Sequence, residues 1–594
     1  MIDLELFLQE LLIGGIQLWI EDGRLRVDAS GGGLPPEKLE LIFQYESEMV
    51  RLLPTYSFEM PLSYGQEALW FVHQKATNKA AYHFAIVLHL QSAINKALLR
   101  DIFQKIGQRH TVLRTTIAVN NGQPKQVIHA TQALCFKEVD CSGQSWEMVM
   151  QAVEDAYLAP FDLSEGPLWR VTLVTQSPDS QVLLLNFHHI IVDGWSMWML
   201  LDEFLALAGA AENTACPLGA VNLPPIAGTY GQFVQWQREM LETRGEDLRA
   251  YWQQALGGEL PVLDLPTDYP RPKVAMSQTA SLPFNLRSGL RDQLRALARR
   301  EGVSFYTVLL AALQILLARY QQDAERILVG VPTAGRECEE FAQTFGYFVN
   351  LVVVDATLTN VPFMTFLQQV RAKLLAAIEH RAYPLPWVVK DLNIERDPSR
   401  GPIFQASLVV QRPQKLSQET VRLLKGEQVQ LASSLTPDLL LQFNGWLQTT
   451  GELDLMFDLM EHTTPEGLVG YIRYRTDLFG ESTIKRMGQH YQQLLEAIVS
   501  DATEEIFQLP LLTERERQQI LVEWNDTAVD FGEPQTIHAL FEAQVERTPD
   551  AIALVFAPTG HDKHKQLTYR ELNERANQLA HYLILSVHAY PEVK

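Results

Sequence analysis

Leu4, Phe7, Leu8 and Leu11 recur three and four apart, the spacing that lines one face of a helix, and Gly14-Gly15 ends that run. Ile16-Gln17-Leu18-Trp19-Ile20 then alternates with the period of a half-buried strand. Asp22-Gly23 predicts a two-residue hairpin turn, because both residue types tolerate positive φ, and Arg24-Leu25-Arg26-Val27 returns as the partner strand. Gly31-Gly32-Gly33 predicts a loop, and Pro35-Pro36-Glu37 opens a second helix running to about Leu53. Helix, hairpin and helix in about fifty residues make a small separate unit with little core of its own. Further on, the apolar run Val182-Leu183-Leu184-Leu185-Asn186-Phe187 predicts a strand, and Trp195 to Phe204 predicts a buried helix. Residues 57 to about 224 read as mixed α/β. Leu290 to Arg300 and Ser304 to Tyr320 predict a helix pair parted at Gly302, and Pro261 to Pro272 is a proline-rich loop.

The chain has 594 residues, room for two to four domains. Its formal charge of −22 argues against nucleic-acid or anionic-membrane surfaces, which need clustered Lys and Arg. Four cysteines, Cys135, Cys141, Cys216 and Cys338, show no C-x-x-C spacing, so a reducing cytosol is expected rather than a disulfide framework or zinc site. The stretch Val182 to Leu201 is apolar enough to raise a membrane question. Asn186, His188, His189, Asp193 and Gly194 at its centre are costly in lipid, and a buried strand, loop and helix is the better reading.

Candidate chemistry concentrates in His188-His189-Ile190-Ile191-Val192-Asp193-Gly194. Imidazole titrates near neutrality, which suits handling a proton on an attacking nucleophile. Neighbouring residues of a strand face opposite ways, so the two histidines are expected to have different roles. The glycine allows a substrate close to backbone. A metal site at His189 and Asp193 lacks further ligands at suitable spacing.

HHIIVDGWS resembles the central motif of the condensation domains of non-ribosomal peptide synthetases. Other motifs similar to that family's appear in order: SYGQEALWF from Ser63, RHTVLRT from Arg109, YGQFVQW from Tyr230, VGVPTAGR from Val329, FGYFVN from Phe345 and a looser HRAYPLPW from His380. The phrase LPTDYPRP is also typical of it. The resemblance covers roughly residues 57–505. It implies an α/β (α+β) fold of two chloramphenicol acetyltransferase-like lobes forming a V-shaped pseudo-dimer around a channel, divided here as 57–224 and 225–505, with a crossover near Ala220 to Gly228. Residues 1–54 resemble a tubulysin-type N-terminal docking domain. Residues 511–594, through LTYRELNERANQLA from Leu567, resemble the start of an adenylation domain; no phosphate-binding loop follows before Lys594, so amino-acid activation is not expected of this segment.

The resemblance implies amide formation between an upstream carrier-bound acyl or peptidyl thioester and the amine of a downstream carrier-bound aminoacyl thioester. The subtype it looks most like joins an L-configured donor to an L-acceptor. His189 is then the base or positioner, and His188 is structural. Asp193 is expected to form a buried ion pair with Arg336, with helix capping as its alternative role. Gly194 would admit the acceptor arm. Arg109 and Arg114 are expected to form structural ion pairs. No cofactor is expected to be covalently bound, because no serine follows the paired glycines of Leu256-Gly257-Gly258-Glu259. Phosphopantetheine arms would come from upstream and downstream peptidyl carrier proteins. Other implied partners are the downstream adenylation domain and the C-terminal tail of an upstream subunit, held on the hairpin edge by Arg24 and Arg26. Two other readings remain: a free acyltransferase using coenzyme A, and a non-catalytic relative that recruits partners.

Overall fold

The structure is a computed structural model describing every residue except 1, 22, 29–33, 77, 210–222, 276–277, 322–324, 396, 412–415, 425–426, 432–438, 448–452, 462–467, 531–535, 557–564 and 590–594. Asp22, the Gly31-Gly32-Gly33 loop, Cys216 and the start of the expected crossover lie outside the described residues. Residues 1–513 form one compact unit and 514–594 another.

The first unit begins with helix α1 (Leu4–Ile13), capped by the Asp3 side chain on Leu6 N–H. Strands β1 (Gln17–Glu21) and β2 (Arg24–Asp28) pair as a hairpin, and Gly23 takes the left-handed φ that its turn requires. The expected second helix is broken at Tyr45 into α2 (Pro36–Gln44) and α3 (Glu46–Leu52). Just past the break, Glu46 Oε1 accepts Leu25 N–H at 3.2 Å. The β2 edge expected to be open therefore already has one ladder amide taken.

Residues 1–54 pack against the sheet that follows them. Phe7, Leu8, Leu11, Leu12, Ile16 and Leu18 share one apolar core with Tyr56, Phe58, Ile128 and Ala130. Those partners lie on or beside β3 (Ser57–Pro61) and β6 (Gln123–His129), which form a three-stranded sheet with β5 (Thr115–Asn120). A helix–hairpin–helix of this length cannot bury its apolar face alone, and the neighbouring sheet supplies the missing surface. Tyr56 Oη donates to Glu5 O at 2.6 Å, and Thr229 Oγ1 to Ile13 O at 3.0 Å, across the same boundary.

Two six-stranded sheets form the two lobes. The first runs β14 (Val429–Leu431), β15 (Leu439–Leu447), β4 (His83–Leu90), β9 (Ser180–His188), β8 (Trp169–Ser177), β7 (Phe136–Asp140). The second runs β10 (Thr279–Leu286), β17 (Leu468–Arg475), β16 (Leu455–Met460), β13 (Ala406–Gln411), β11 (Arg326–Thr333), β12 (Asn350–Thr357). Within the span 225–505, β15 pairs antiparallel with β4 of the first sheet, and β14 pairs with β15. Without β15, β4 would present an unpaired edge.

Central position explains why β9 reads as a continuous apolar run rather than an alternating one. It is flanked by β4 and β8 and covered on both faces, and all but its first residue is buried. The helix Phe305–Tyr320 is apolar all round for the same reason, being enclosed in the second core. It follows Ser288–Arg300 at a bend of 106°, and no single helix among the described residues is long and apolar enough to cross a membrane. The proline-rich loop acts as a strap. Asp268 accepts Gly480 N–H and Thr483 Oγ1, both at 2.8 Å, at the start of the helix Glu481–Ser500, and Arg271 forms a two-point pair with the buried Asp454.

The second unit contains the helices Ile537–Arg547 and Tyr569–Ala589 and the hairpin of Ile552–Phe556 with Lys565–Thr568. Val545 is its one buried side chain among the described residues.

Candidate active site

Strand β9 ends at His188. His189 opens a 3₁₀ turn, His189–Ile191, and helix α7 (Gly194–Gly209) follows. Here α7 is numbered after α4 (Tyr64–Lys75), α5 (Lys96–Arg109) and α6 (Trp146–Leu158).

The two histidine rings go to different places. His188 is fully buried. Its Nδ1 accepts Ile190 N–H at 3.1 Å, so its Nε2 carries the proton and lies 3.2 Å from His73 Nδ1. His83, its cross-strand partner, lies in the same cluster and donates from Nδ1 to Tyr157 O at 2.7 Å. Burial holds all three imidazoles below their ordinary pKa: His188 well below it, and His83 at about 4. Burial thus favours the neutral form of all three rings.

His189 is half-buried. Its Nδ1 lies 2.7 Å from Val192 O. A carbonyl only accepts, so Nδ1 bears the proton and Nε2 keeps a lone pair. Among the described residues, the hydrogen bond of this ring is the one from Nδ1. Burial lowers the His189 pKa, with the Val192 carbonyl working in the opposite direction. The ring stacks on Phe84, with centroids 5.3 Å apart and planes 11° apart. The turn carrying it is held by Gln66, whose Nε2 donates to Ile190 O at 3.0 Å.

Asp193 does not touch His189. Its Oδ1 accepts Ser196 N–H (2.8 Å), Ser196 Oγ (2.8 Å) and Arg336 Nη2 (3.2 Å). Its Oδ2 accepts Arg336 Nη1 (2.7 Å) and Phe348 N–H (3.2 Å). Capping and ion pairing are therefore both present: the bond to Ser196 N–H caps α7 while Arg336 neutralises the charge. The guanidinium also lies over Phe348, 4.1 Å from its centroid. At Gly194 an added Cβ would meet no atom within 4 Å, so the backbone there borders open space.

A second buried charge cluster stands nearby. Arg109 Nε donates to Glu203 Oε1 at 3.0 Å, and His110 Nε2 lies 2.9 Å from Glu203 Oε2. Burial opposes the charge on Glu203, but His110 and Arg109 outweigh it and hold its pKa low. Arg114 departs from expectation: instead of an ion pair it donates to the carbonyls of His129 and Gln108. Arg24 and Arg26 sit two apart on β2, both exposed and remote in sequence from the histidine turn.

Gln66, Tyr230 and Tyr347 escaped the sequence reading as site residues. One readable signal was the capping-box pattern. Ser63-Tyr64-Gly65-Gln66 and Thr229-Tyr230-Gly231-Gln232 each form a reciprocal cap, on α4 and on α8 (Tyr230–Ala255). The two caps meet where Tyr230 Oη lies 2.8 Å from Ser63 Oγ.

Family models match the chain in three places: a condensation domain over residues 57–521, a TubC N-terminal docking domain over 5–54 and an AMP-binding enzyme over 541–592. A linear gramicidin synthase of Brevibacillus parabrevis is 35% identical over 532 residues, covering 88% of this chain and 10% of that protein. Chondramide synthase of Chondromyces crocatus is 36% identical over 534 residues, covering 88% and 13%. The chain thus spans only about a tenth of these relatives' length. A four-domain holo non-ribosomal peptide synthetase bound to AMP and glycine has a TM-score of 0.76 at 23% identity, covering 89% of this chain and 39% of that one. The X-domain from teicoplanin biosynthesis has a TM-score of 0.65 at 22% identity, covering 76% and 97%. With the histidine turn and two-sheet fold above, the match over 57–521 makes the chain a member of the condensation-domain family of non-ribosomal peptide synthetases.

Proposed function

We propose that this chain joins an acyl or peptidyl thioester, presented by an upstream peptidyl carrier protein, to the α-amine of an aminoacyl thioester on a downstream one. The amine attacks the thioester carbonyl, the C–N bond forms, and the C–S bond breaks to release the donor's thiol. Both phosphopantetheine arms belong to the substrates. The observation that carries the reading is the His189 tautomer: Nδ1–H is committed to Val192 O, leaving the Nε2 lone pair to accept a proton or hydrogen bond from the amine. Burial favours the neutral ring, the form this task needs at physiological pH. Gly194 leaves room for the acceptor arm to pass close to backbone. Asp193 and Arg336 shape the turn.

A recruitment-only role has no need of an imidazole held with its lone pair unengaged. A free acyltransferase using coenzyme A has no need of a docking unit such as the family model matches at residues 5–54. Those residues are proposed to capture the acidic C-terminal tail of an upstream subunit through Arg24 and Arg26, while the segment from about 511 leads into the downstream adenylation domain. A reducing cytosol is the proposed setting. Mixing the chain with two loaded carrier proteins and weighing both intact tests the reaction. Transfer of the donor mass to the acceptor carrier is expected, and two unchanged carriers alongside an active control domain would overturn the reading.

A further inference from the structure

Three consecutive residues between β11 and β12 have backbone groups held by distant side chains. Gly346 N–H donates to Ser196 Oγ at 3.1 Å, Tyr347 O accepts Tyr230 Oη at 2.7 Å, and Phe348 N–H donates to Asp193 Oδ2 at 3.2 Å. Tyr230 is itself buried and fixed by Ser63. Gly346 must be glycine for this arrangement, since an added Cβ would stand 2.0 Å from the Tyr230 ring. The Tyr347 backbone is thus pinned on both sides, by residues of the histidine motif and by the two capping boxes.

The pinned residue points at the histidine. The Tyr347 ring meets the His189 ring at 89°, with centroids 5.3 Å apart. Phe84 stacks on the same imidazole. At position 65, a Cβ would come within 2.8 Å of Tyr347 Cε1, so glycine there leaves room for the ring.

We propose that Tyr347 is a positioning residue for condensation: with Phe84 it fixes the plane of the His189 imidazole, and the cluster of Asp193, Ser196 and Tyr230 holds Tyr347 in place. The proposal rests on the reading of His189 as the group that faces the amine. A single Nδ1–H···O=C bond lets an imidazole swing about that bond. Two aromatic neighbours, one stacked and one perpendicular, remove the freedom and aim Nε2. The arrangement also gives Asp193 and Ser196 a task beside the histidine without either touching it.

The test compares Tyr347→Ala, Tyr347→Phe, Gly65→Ala and the control His189→Ala in single-turnover assays with loaded carriers, each variant melted in parallel. Tyr347→Ala is expected to slow the chemical step about 10- to 100-fold, as small misplacements of reacting groups do. The acid limb of its pH–rate profile should move to higher pH as water replaces the ring. Tyr347→Phe keeps the ring and should restore both rate and profile. Gly65→Ala, which displaces the ring, should shift both in the same direction as Tyr347→Ala, and it carries the test if Tyr347→Ala does not fold. The proposal is overturned if Tyr347→Ala condenses normally while His189→Ala does not, if Phe fails to restore the rate, or if only the half-saturating carrier concentration changes. Normal condensation by His189→Ala removes the underlying reading instead.

Discussion

Arg336 meets Asp193 at two points, Nη1 to Oδ2 at 2.7 Å and Nη2 to Oδ1 at 3.2 Å, joining segments 143 residues apart. Both side chains are buried. In a Ser–His–Asp triad the carboxylate accepts the hydrogen bond from the histidine's Nδ1–H. Here the Val192 carbonyl accepts it, and both Asp193 oxygens are engaged elsewhere. The carboxylate four residues beyond His189 is committed to Ser196, Arg336 and Phe348.

Asp193→Ala should therefore act on stability first. It leaves the Arg336 guanidinium in a dry site with the Thr344 carbonyl and Ser196 Oγ as its main remaining partners. Stranding one member of a buried ion pair costs about 3–5 kcal/mol. Denaturant melts should show that loss, and Arg336→Met in the same background should recover part of it. An Asp193→Ala protein that melts like the parent yet is inactive would favour a catalytic dyad.

The adjacent histidines should respond differently. His189→Ala removes a half-buried ring at the end of a turn that Gln66 also holds, so condensation should fall steeply with little change in melting temperature. His188→Ala empties a fully buried position bonded to Ile190 N–H and His73, and should lower melting temperature or soluble yield. Thermal melts beside single-turnover rates separate the two, and equal effects of both variants on both readouts would refute the division of roles.

Acid should unfold this protein through the same cluster. His73, His83 and His188 are held below their ordinary pKa by burial, so the unfolded chain takes up protons that the folded chain refuses. Stability is full above the unfolded value near pH 6.5 and is lost as pH falls toward the folded values, for His83 down to about 4. Each such group contributes a slope of about 1.4 kcal/mol per pH unit inside its window. Melts between pH 7 and pH 5 should show the decline, and His83→Leu should flatten it. A melting temperature independent of pH across that range would contradict a neutral, buried cluster.

The hairpin arginines make a separate prediction. Arg24 and Arg26 are exposed on one face of β2, where Leu25 N–H is already bonded to Glu46. An incoming acidic tail must displace that carboxylate to pair with the ladder, so affinity should be modest. Charge reversal, Arg24→Glu with Arg26→Glu, should weaken capture of an acidic upstream tail peptide in fluorescence titrations. The difference should shrink as salt rises, because exposed charges are screened. Binding indifferent to both charge reversal and salt would remove the arginines from the interface.

Much of this site was legible in the sequence because its parts are local. The apolar run into His188, the glycine at 194 and the helix from Trp195 lie within some twenty residues, and ordered motifs supplied Arg336. What escaped is contact at a distance. Periodicity reports which face is buried but not what buries it, so nothing marked residues 439–447 as the strand beside β4, or Tyr56, Phe58 and Ile128 as the core beneath α1. Likewise, neither Tyr230 nor Tyr347 carries a local sign that one hydroxyl reaches the other's carbonyl across 117 residues. The core that residues 1–54 share with the following sheet escaped for the same reason: the hairpin and helices were readable, what they pack against was not.

That shared core changes what truncation should do. A chain starting at residue 55 would expose Tyr56, Phe58 and Ile128, all buried against α1 and its neighbours. It would also remove the Ile13 carbonyl that accepts Thr229 Oγ1, the cap of α8. Uncovering a large apolar side chain costs about 1.5–3 kcal/mol, so several kcal/mol of stability should go with the deletion. The truncated protein should melt well below the parent and condense more slowly even with loaded carriers at saturating concentration. A cut that only severed a tether would instead leave melting and saturated rate unchanged and impair only transfer from a native upstream partner at low concentration. Differential scanning calorimetry of the two chains distinguishes these outcomes before any carrier is added.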